Sequence, residues 1–148
     1  MRALLRLVVA CAVTVSSAAL ADERATPDEA KAMAVKAAEY VKAAGPDAAY
    51  KAFTEKASGW VDRDLYVFVV RHDGVTLAHG GNAVLVGKNL SNLKDVDGKP
   101  FIQDIIGVKD EGWVDYKWKN SQTQAVEQKT SYVVMVGDTA VGVGAYRQ

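Results

Sequence analysis

The chain has 148 residues, room for one domain, and its 18 basic side chains offset 18 acidic ones. That balance excludes a polycationic surface of the kind that recruits nucleic acid or an anionic membrane. The one cysteine, Cys11, excludes an internal disulfide and a cysteine-built metal site.

Residues 1–21 read as a secretory signal peptide. Arg2 and Arg6 precede an apolar run, and Ala19-Leu20-Ala21 is a small-x-small cleavage site. The run from Leu7 to Ala21 is 15 residues long, short of the roughly 20 that span a bilayer, and it contains Thr14, Ser16 and Ser17. Val8 to Cys11 is only a faint lipoprotein box, with too little apolar sequence before it. Cleavage after Ala21 predicts a periplasmic or secreted protein of residues 22–148. That segment is cysteine-free and carries 16 basic against 18 acidic residues, because Arg2 and Arg6 leave with the signal.

Helices come next. Thr26, Pro27 and Glu29 form an N-cap, a first-turn proline and a capping-box acid. Ala30, Met33, Ala34, Ala37, Val41 and Ala44 then recur at helical spacing until Gly45-Pro46. A second, shorter helix carries Ala49, Tyr50, Phe53 and Ala57 on one side and ends at Gly59, so the helical part covers residues 26–58. From Leu65 the period is two. "LYVFVVR" is a strand, Asp73-Gly74 a hairpin turn and "VTLAHG" the return strand. Gly80 to Pro100 is irregular, and a short helix follows with Phe101, Ile102, Ile105 and Ile106 on its apolar face. "GWVDYKWK" alternates, with Val114, Tyr116 and Trp118 on one face and Asp115 and Lys117 on the other. "AVEQKTSYVVMVG" and "TAVGVGAYR" make the last hairpin, turned at Gly137-Asp138. The pattern predicts an α+β domain, its sheet of five mostly antiparallel strands lying within residues 65–147.

Motif chemistry is sparse. "GGNAVLVGKN" looks like a phosphate-binding loop, but the first glycine falls on Asn82 and the hydroxyl after Lys88 is replaced by Asn89. "DVDG" at Asp95–Gly98 hints at a calcium loop, yet Leu93 and Asp104 stand where an EF-hand needs an acid or Asn and a Glu. It reads as a tight turn. His72 and His79 are separated by a turn, and no nucleophile–base context or metal-ligand spacing is present. Nothing in the sequence argues for an enzyme, a metal or a cofactor.

The segment from Leu65 onward resembles the single Cache domain of the second type. The matching motifs run in order: Tyr66-Val67-Phe68-Val69, Asp73-Gly74, His79, Val86 to Leu90, Asp95 to Pro100, Gly112 to Trp118, Lys129 to Val133, and Gly142 to Tyr146. The resemblance implies a PAS-like antiparallel sheet of about five strands with a long N-terminal helix packed on it. It implies an extracytoplasmic sensor for a small organic ligand, often a short organic acid. Such domains usually belong to chemoreceptors or sensor kinases. This chain ends at Gln148 with no second membrane helix or signalling module, so it resembles a free-standing secreted form acting through a membrane receptor or sensor kinase. The loop after the second strand is expected to close one side of the pocket.

A small carboxylate needs a fixed cation or several donors and apolar walls. Lys129 is the candidate anchor, with His79 at a strand end as a candidate donor. Tyr66 with Phe68, and Tyr116 with Trp118, each share a face, and Tyr146 stands near the last strand's end. Tyr132 completes the candidate set, although it is three residues from Lys129 and a regular strand sends the two to opposite faces. The competing reading is a secreted structural or interaction module. Its pocket would be filled by its own side chains, and it would form a homodimer through an exposed alanine stripe on the first helix.

Overall fold

A computed structural model describes residues 24–147. The expected signal peptide and its cleavage site lie outside them. Among the described residues no helix is long and apolar enough to cross a membrane.

The chain begins with α1 (Pro27–Ala44) and α2 (Pro46–Thr54). The Thr26 side chain accepts from the Glu29 amide, while the Glu29 carboxylate accepts from the Thr26 amide, so the helix start is closed from both sides. Arg63 donates to the same carboxylate at 2.6 Å and is the chief reason that Glu29 titrates near 2. Gly45, at φ +87, ends α1 and caps α2, a left-handed conformation that glycine adopts without a Cβ clash.

Six strands follow: β1 (Val61–Asp62), β2 (Leu65–Arg71), β3 (Thr76–His79), β4 (Glu111–Lys119), β5 (Val126–Val136) and β6 (Thr139–Tyr146). A 3₁₀ turn, Ala83–Leu85, and α3 (Phe101–Ile106) lie between β3 and β4. The sheet is antiparallel in the order β1-β2-β6-β5-β4, and β3 shares the outer edge of β2 with β1. The five expected strands are all present; the sixth, β1, is a two-residue pairing that the period-two pattern is too short to reveal. The last strand in sequence lies at the centre, bonded to β2 on one side and β5 on the other.

Alternation along the strands creates two cores. Val67, Val69, Val141 and Val143 face α1 and α2, where Phe53 and Trp60 meet edge to face at 4.8 Å. Tyr66, Phe68, Val70, Val133 and Tyr116 face the other way, against α3 and the long loop before it. The alanine stripe is spent on the first core. Ala30, Ala34, Ala37 and Ala38 are buried where α1 crosses β5 and β6, while Ala44 is exposed. The expectation of an exposed stripe for a homodimer is therefore corrected: small side chains let the helix sit close on its own sheet.

The loop before α3 is pinned by one carboxylate. Asp95 accepts from the Asp97 and Lys99 amides, both at 2.9 Å, and from the Lys117 amide on the edge strand at 3.0 Å. The Lys117 bond contributes most to holding this carboxyl below its usual range. Asp95-Val96-Asp97-Gly98 is thus a side-chain-closed turn stapled to β4. Because Ala37 is fully buried against the sheet, Ala37→Leu is expected to lower unfolding stability by about 1–3 kcal/mol through overpacking, as read by urea denaturation.

Candidate functional site

The second core does not close completely. Between the sheet, α3 and the loop after β3 lies an inner cavity of about 20 Å³, room for about one water, walled by Phe68, Phe101, Ile105 and Tyr116. It adjoins an open bay of about 370 Å³, a volume suited to a small metabolite. Tyr66, His79, Leu85 and Trp118 line both spaces and form the passage between them. The outer rim is polar: Asn82 comes from the loop after β3, Lys119 ends β4, and Ser121 and Gln124 come from the β4–β5 connection.

Glycines make this room. A Cβ at Gly142 would land inside the Phe68 ring, and one at Gly144 would overlap Ser131 Oγ and Lys129 Cε. Phe68 and the lysine stem therefore lie flat across the backbone of β6. Gly81 does the same from above, since a Cβ there would meet the Tyr66 ring at 2.6 Å. In "GGNAVLVGKN" the first pair of glycines thus serves close packing on Tyr66, and Gly87, at φ +84, serves a turn.

Lys129 lies under this aromatic layer. It is fully buried, and its Nζ donates to Tyr66 Oη at 2.9 Å. Nζ also stands 4.1 Å from the Tyr66 ring centre and 5.0 Å from that of Tyr146. It makes no ion pair with any described carboxylate. Burial lowers its pKa to about 7, with the nearby charge of Asp64 opposing the shift. Lys129 and Tyr146 thus form the layer behind Tyr66, and the lysine reaches the bay through the Tyr66 hydroxyl.

His79 is held in one form. Its Nδ1 accepts the Asn82 amide at 2.9 Å, which leaves Nε2 to carry the proton. Burial first, and the charge of Lys129 second, bring its pKa down to about 3, so it is a neutral donor at physiological pH. The Tyr66 and His79 rings lie 5.0 Å apart. Tyr116 stacks on Phe101 at 4.5 Å and shares a hydrogen bond of 2.9 Å with Ser131 Oγ. Tyr146 Oη donates to the Lys119 carbonyl at 2.9 Å, tying the sheet floor to the rim.

Seven of the eight candidate residues, Lys129, His79, Tyr66, Phe68, Tyr116, Trp118 and Tyr146, therefore gather on one face. Tyr132 does not join them. The β4–β5 ladder runs without a bulge from Glu111 to Lys119, so Tyr132 points into the helix-side core and meets Trp113 at 4.9 Å. Three contributors carry no motif of their own. Thr76 Oγ1, on the inner cavity, has no hydrogen-bond partner among the described residues. Asp64 is buried, with Oδ1 on the Ala25 amide at 2.9 Å and Oδ2 without a described partner. Asn82 is the third. Only the Gly-Gly-Asn run after His79 hinted that backbone would approach closely there.

Comparison with known proteins agrees with this architecture. A family model described as single Cache domain 2 matches residues 5–148. The sensor histidine kinase MctS of Rhizobium johnstonii is 32% identical over 88 residues, covering 57% of this chain and 19% of the kinase, so this chain corresponds to a small part of that protein's length. A methyl-accepting chemotaxis protein of Vibrio parahaemolyticus superposes with a TM-score of 0.71 at 24% identity, covering 80% of this chain and 86% of that one. A Cache chemosensory domain whose structure was described for carboxylic acid recognition superposes with a TM-score of 0.63 at 22% identity, covering 82% and 88%. These structural likenesses establish the fold.

Gly142→Ala is expected to push the Phe68 ring into the inner cavity, costing about 1–3 kcal/mol of stability. It should also abolish any stabilisation by small ligands, a loss that a thermal-shift titration would detect.

Proposed function

The chain belongs to the single Cache domain 2 family, a family of extracytoplasmic sensor domains, and on that premise we propose that its bay binds a short organic acid or a similar small metabolite. The observation that carries this reading is Lys129: a fully buried amine, without a carboxylate partner among the described residues, bonded to the tyrosine that lines the bay. Taking an ammonium out of water is expensive, and an apolar side chain of similar size would stabilise the fold better. A fully buried cation beside a cavity therefore supports reading this face as a site.

In the proposed complex the acid's oxygens take the Tyr66 hydroxyl, the His79 Nε2–H and the Trp118 indole N–H. Lys129 supplies positive charge from the layer behind. Tyr116, Phe68 and Phe101 form the apolar end, and the small inner cavity limits the chain that can follow the carboxylate. The carboxylic-acid-recognising Cache domain of the same fold supports the choice of ligand class. The output would pass through a partner, a sensor kinase or chemoreceptor in signal transduction or chemotaxis, in keeping with the relatives. No catalytic role is proposed.

A thermal-shift screen of the purified protein against acetate, propionate, pyruvate and succinate, with the matching amides as uncharged controls, tests this. Acid at 100 times its dissociation constant should add about 2.7 kcal/mol, and the amides should add far less. No shift with any acid would refute the acid-binding reading. Lys129→Met should lose the shift while unfolding at a higher temperature than the parent. The lowered pKa places the sign: the unfolded lysine, near 10.5, holds its proton where the folded one, near 7, does not. The penalty is complete below pH 7 and fades as pH rises toward 10.5. The gain from Lys129→Met should therefore be about 1–4 kcal/mol at mildly acidic pH and shrink in alkali.

A further inference from the structure

Resting on the reading of the bay as an acid site, we infer that binding an acid and protonating Lys129 are one event, so that the domain reports an organic acid and a proton together. The inference follows from counting donors and acceptors. An ammonium has three N–H donors and no acceptor, whereas a neutral amine keeps a lone pair. Lys129 Nζ and Tyr66 Oη are 2.9 Å apart, with no third group between them. With a neutral amine, the tyrosine proton can sit on this bond, donated to nitrogen, and Tyr66 then offers the bay only an acceptor. With an ammonium, the bond must run from nitrogen to oxygen, and the hydroxyl proton is released to its remaining acceptors, Tyr146 Oη beside it or a ligand oxygen in the bay. A carboxylate has acceptors only, so it selects the second state. Its oxygen on Tyr66 would also stand about 5–6 Å from Nζ, within the range where an opposite charge favours the ammonium.

The surroundings leave Lys129 as the group that titrates. Tyr66 from β2, Tyr116 from β4 and Tyr146 from β6 face it, and burial raises all three above the ordinary tyrosine range. Tyr146 has committed its proton to the Lys119 carbonyl. His79 from β3 stays neutral, with Nδ1 occupied by the Asn82 amide. From α3 only Phe101, Ile102 and Ile105 border the cavity. Asp64, before β2, is the carboxylate whose charge bears on Lys129. Glu127, two residues along β5, is tied to Arg24, Asn120 and Thr123. Lys129, near 7, is poised between its two states at neutral pH.

Isothermal titration of the full chain with acetate, propionate and pyruvate, from about pH 6 to about pH 9 in two buffers of different ionisation enthalpy, tests the inference. The dissociation constant should be flat below neutrality, with little proton uptake, and rise about tenfold per pH unit above it, where proton uptake should approach about one per acid bound. Binding with a flat constant and no proton uptake would overturn the inference and leave the acid site standing. Failure of every acid to bind at every pH would remove the acid site and the inference with it. His79→Asn should keep the slope even if affinity falls, and a slope lost there would assign the proton to His79 and overturn the inference. The ¹³Cε resonance of Lys129 gives an independent reading: its midpoint should lie near neutrality in the free protein and move up with acid bound. A midpoint that does not move would overturn the coupling.

Discussion

A buried amine donating to a buried hydroxyl organises one whole side of this domain. Lys129 and Tyr66 lie 63 positions apart in sequence, yet their polar atoms meet at 2.9 Å under a layer of aromatic rings. An ammonium in that setting needs the tyrosine oxygen, the ring faces of Tyr66 and Tyr146, and the more distant charge of Asp64. An amine so buried has only a weak hold on its proton. The same arrangement that makes Lys129 costly is what the proposed coupling to a charge in the bay rests on.

The rest of that face follows from making space for the pair. A flat lysine stem requires a strand without side chains beneath it, which Gly144 supplies, and a flat Phe68 requires Gly142. The upper surface of Tyr66 is covered by Gly81, whose loop returns through the Asn82 amide to fix the histidine tautomer. Farther along, Asp95 anchors the next stretch of loop to the edge strand by its bond to the Lys117 amide. Rim, roof and floor are thus joined by hydrogen bonds between side chains and backbone. The helical face is built on a different constraint, close approach of small side chains, and it leaves the pocket face free to carry polar groups.

Much of this was legible residue by residue. The capping box at Thr26 and Glu29, the hairpin at Asp73-Gly74 and the turn at Gly137-Asp138 are local events, each governed by a few neighbouring dihedral angles. The ordered motifs from Tyr66 to Tyr146 carried the family resemblance. The expectation of an exposed stripe went astray because an alanine stripe is equally suited to a partner helix and to the chain's own sheet. Asp64 and Thr76 escaped because an Asp after Arg63 and a Thr in a strand have nothing unusual beside them in sequence. Their unmatched oxygens exist only once distant segments close around them.

By itself the sequence determined which side chains share a face. The period of two put Tyr66 with Phe68 and Tyr116 with Trp118, and it set Tyr132 against Lys129. Side-chain direction along a strand is a property of the backbone alone. Only the tertiary structure decided which faces meet. Strand order is a non-local matter, settled by which apolar surfaces can be buried together. Here it placed the glycine-bearing β6 between β2 and β5. That placement lets Lys129 cross Gly144 to Tyr66, and it turns an ordinary strand lysine into a fully buried one.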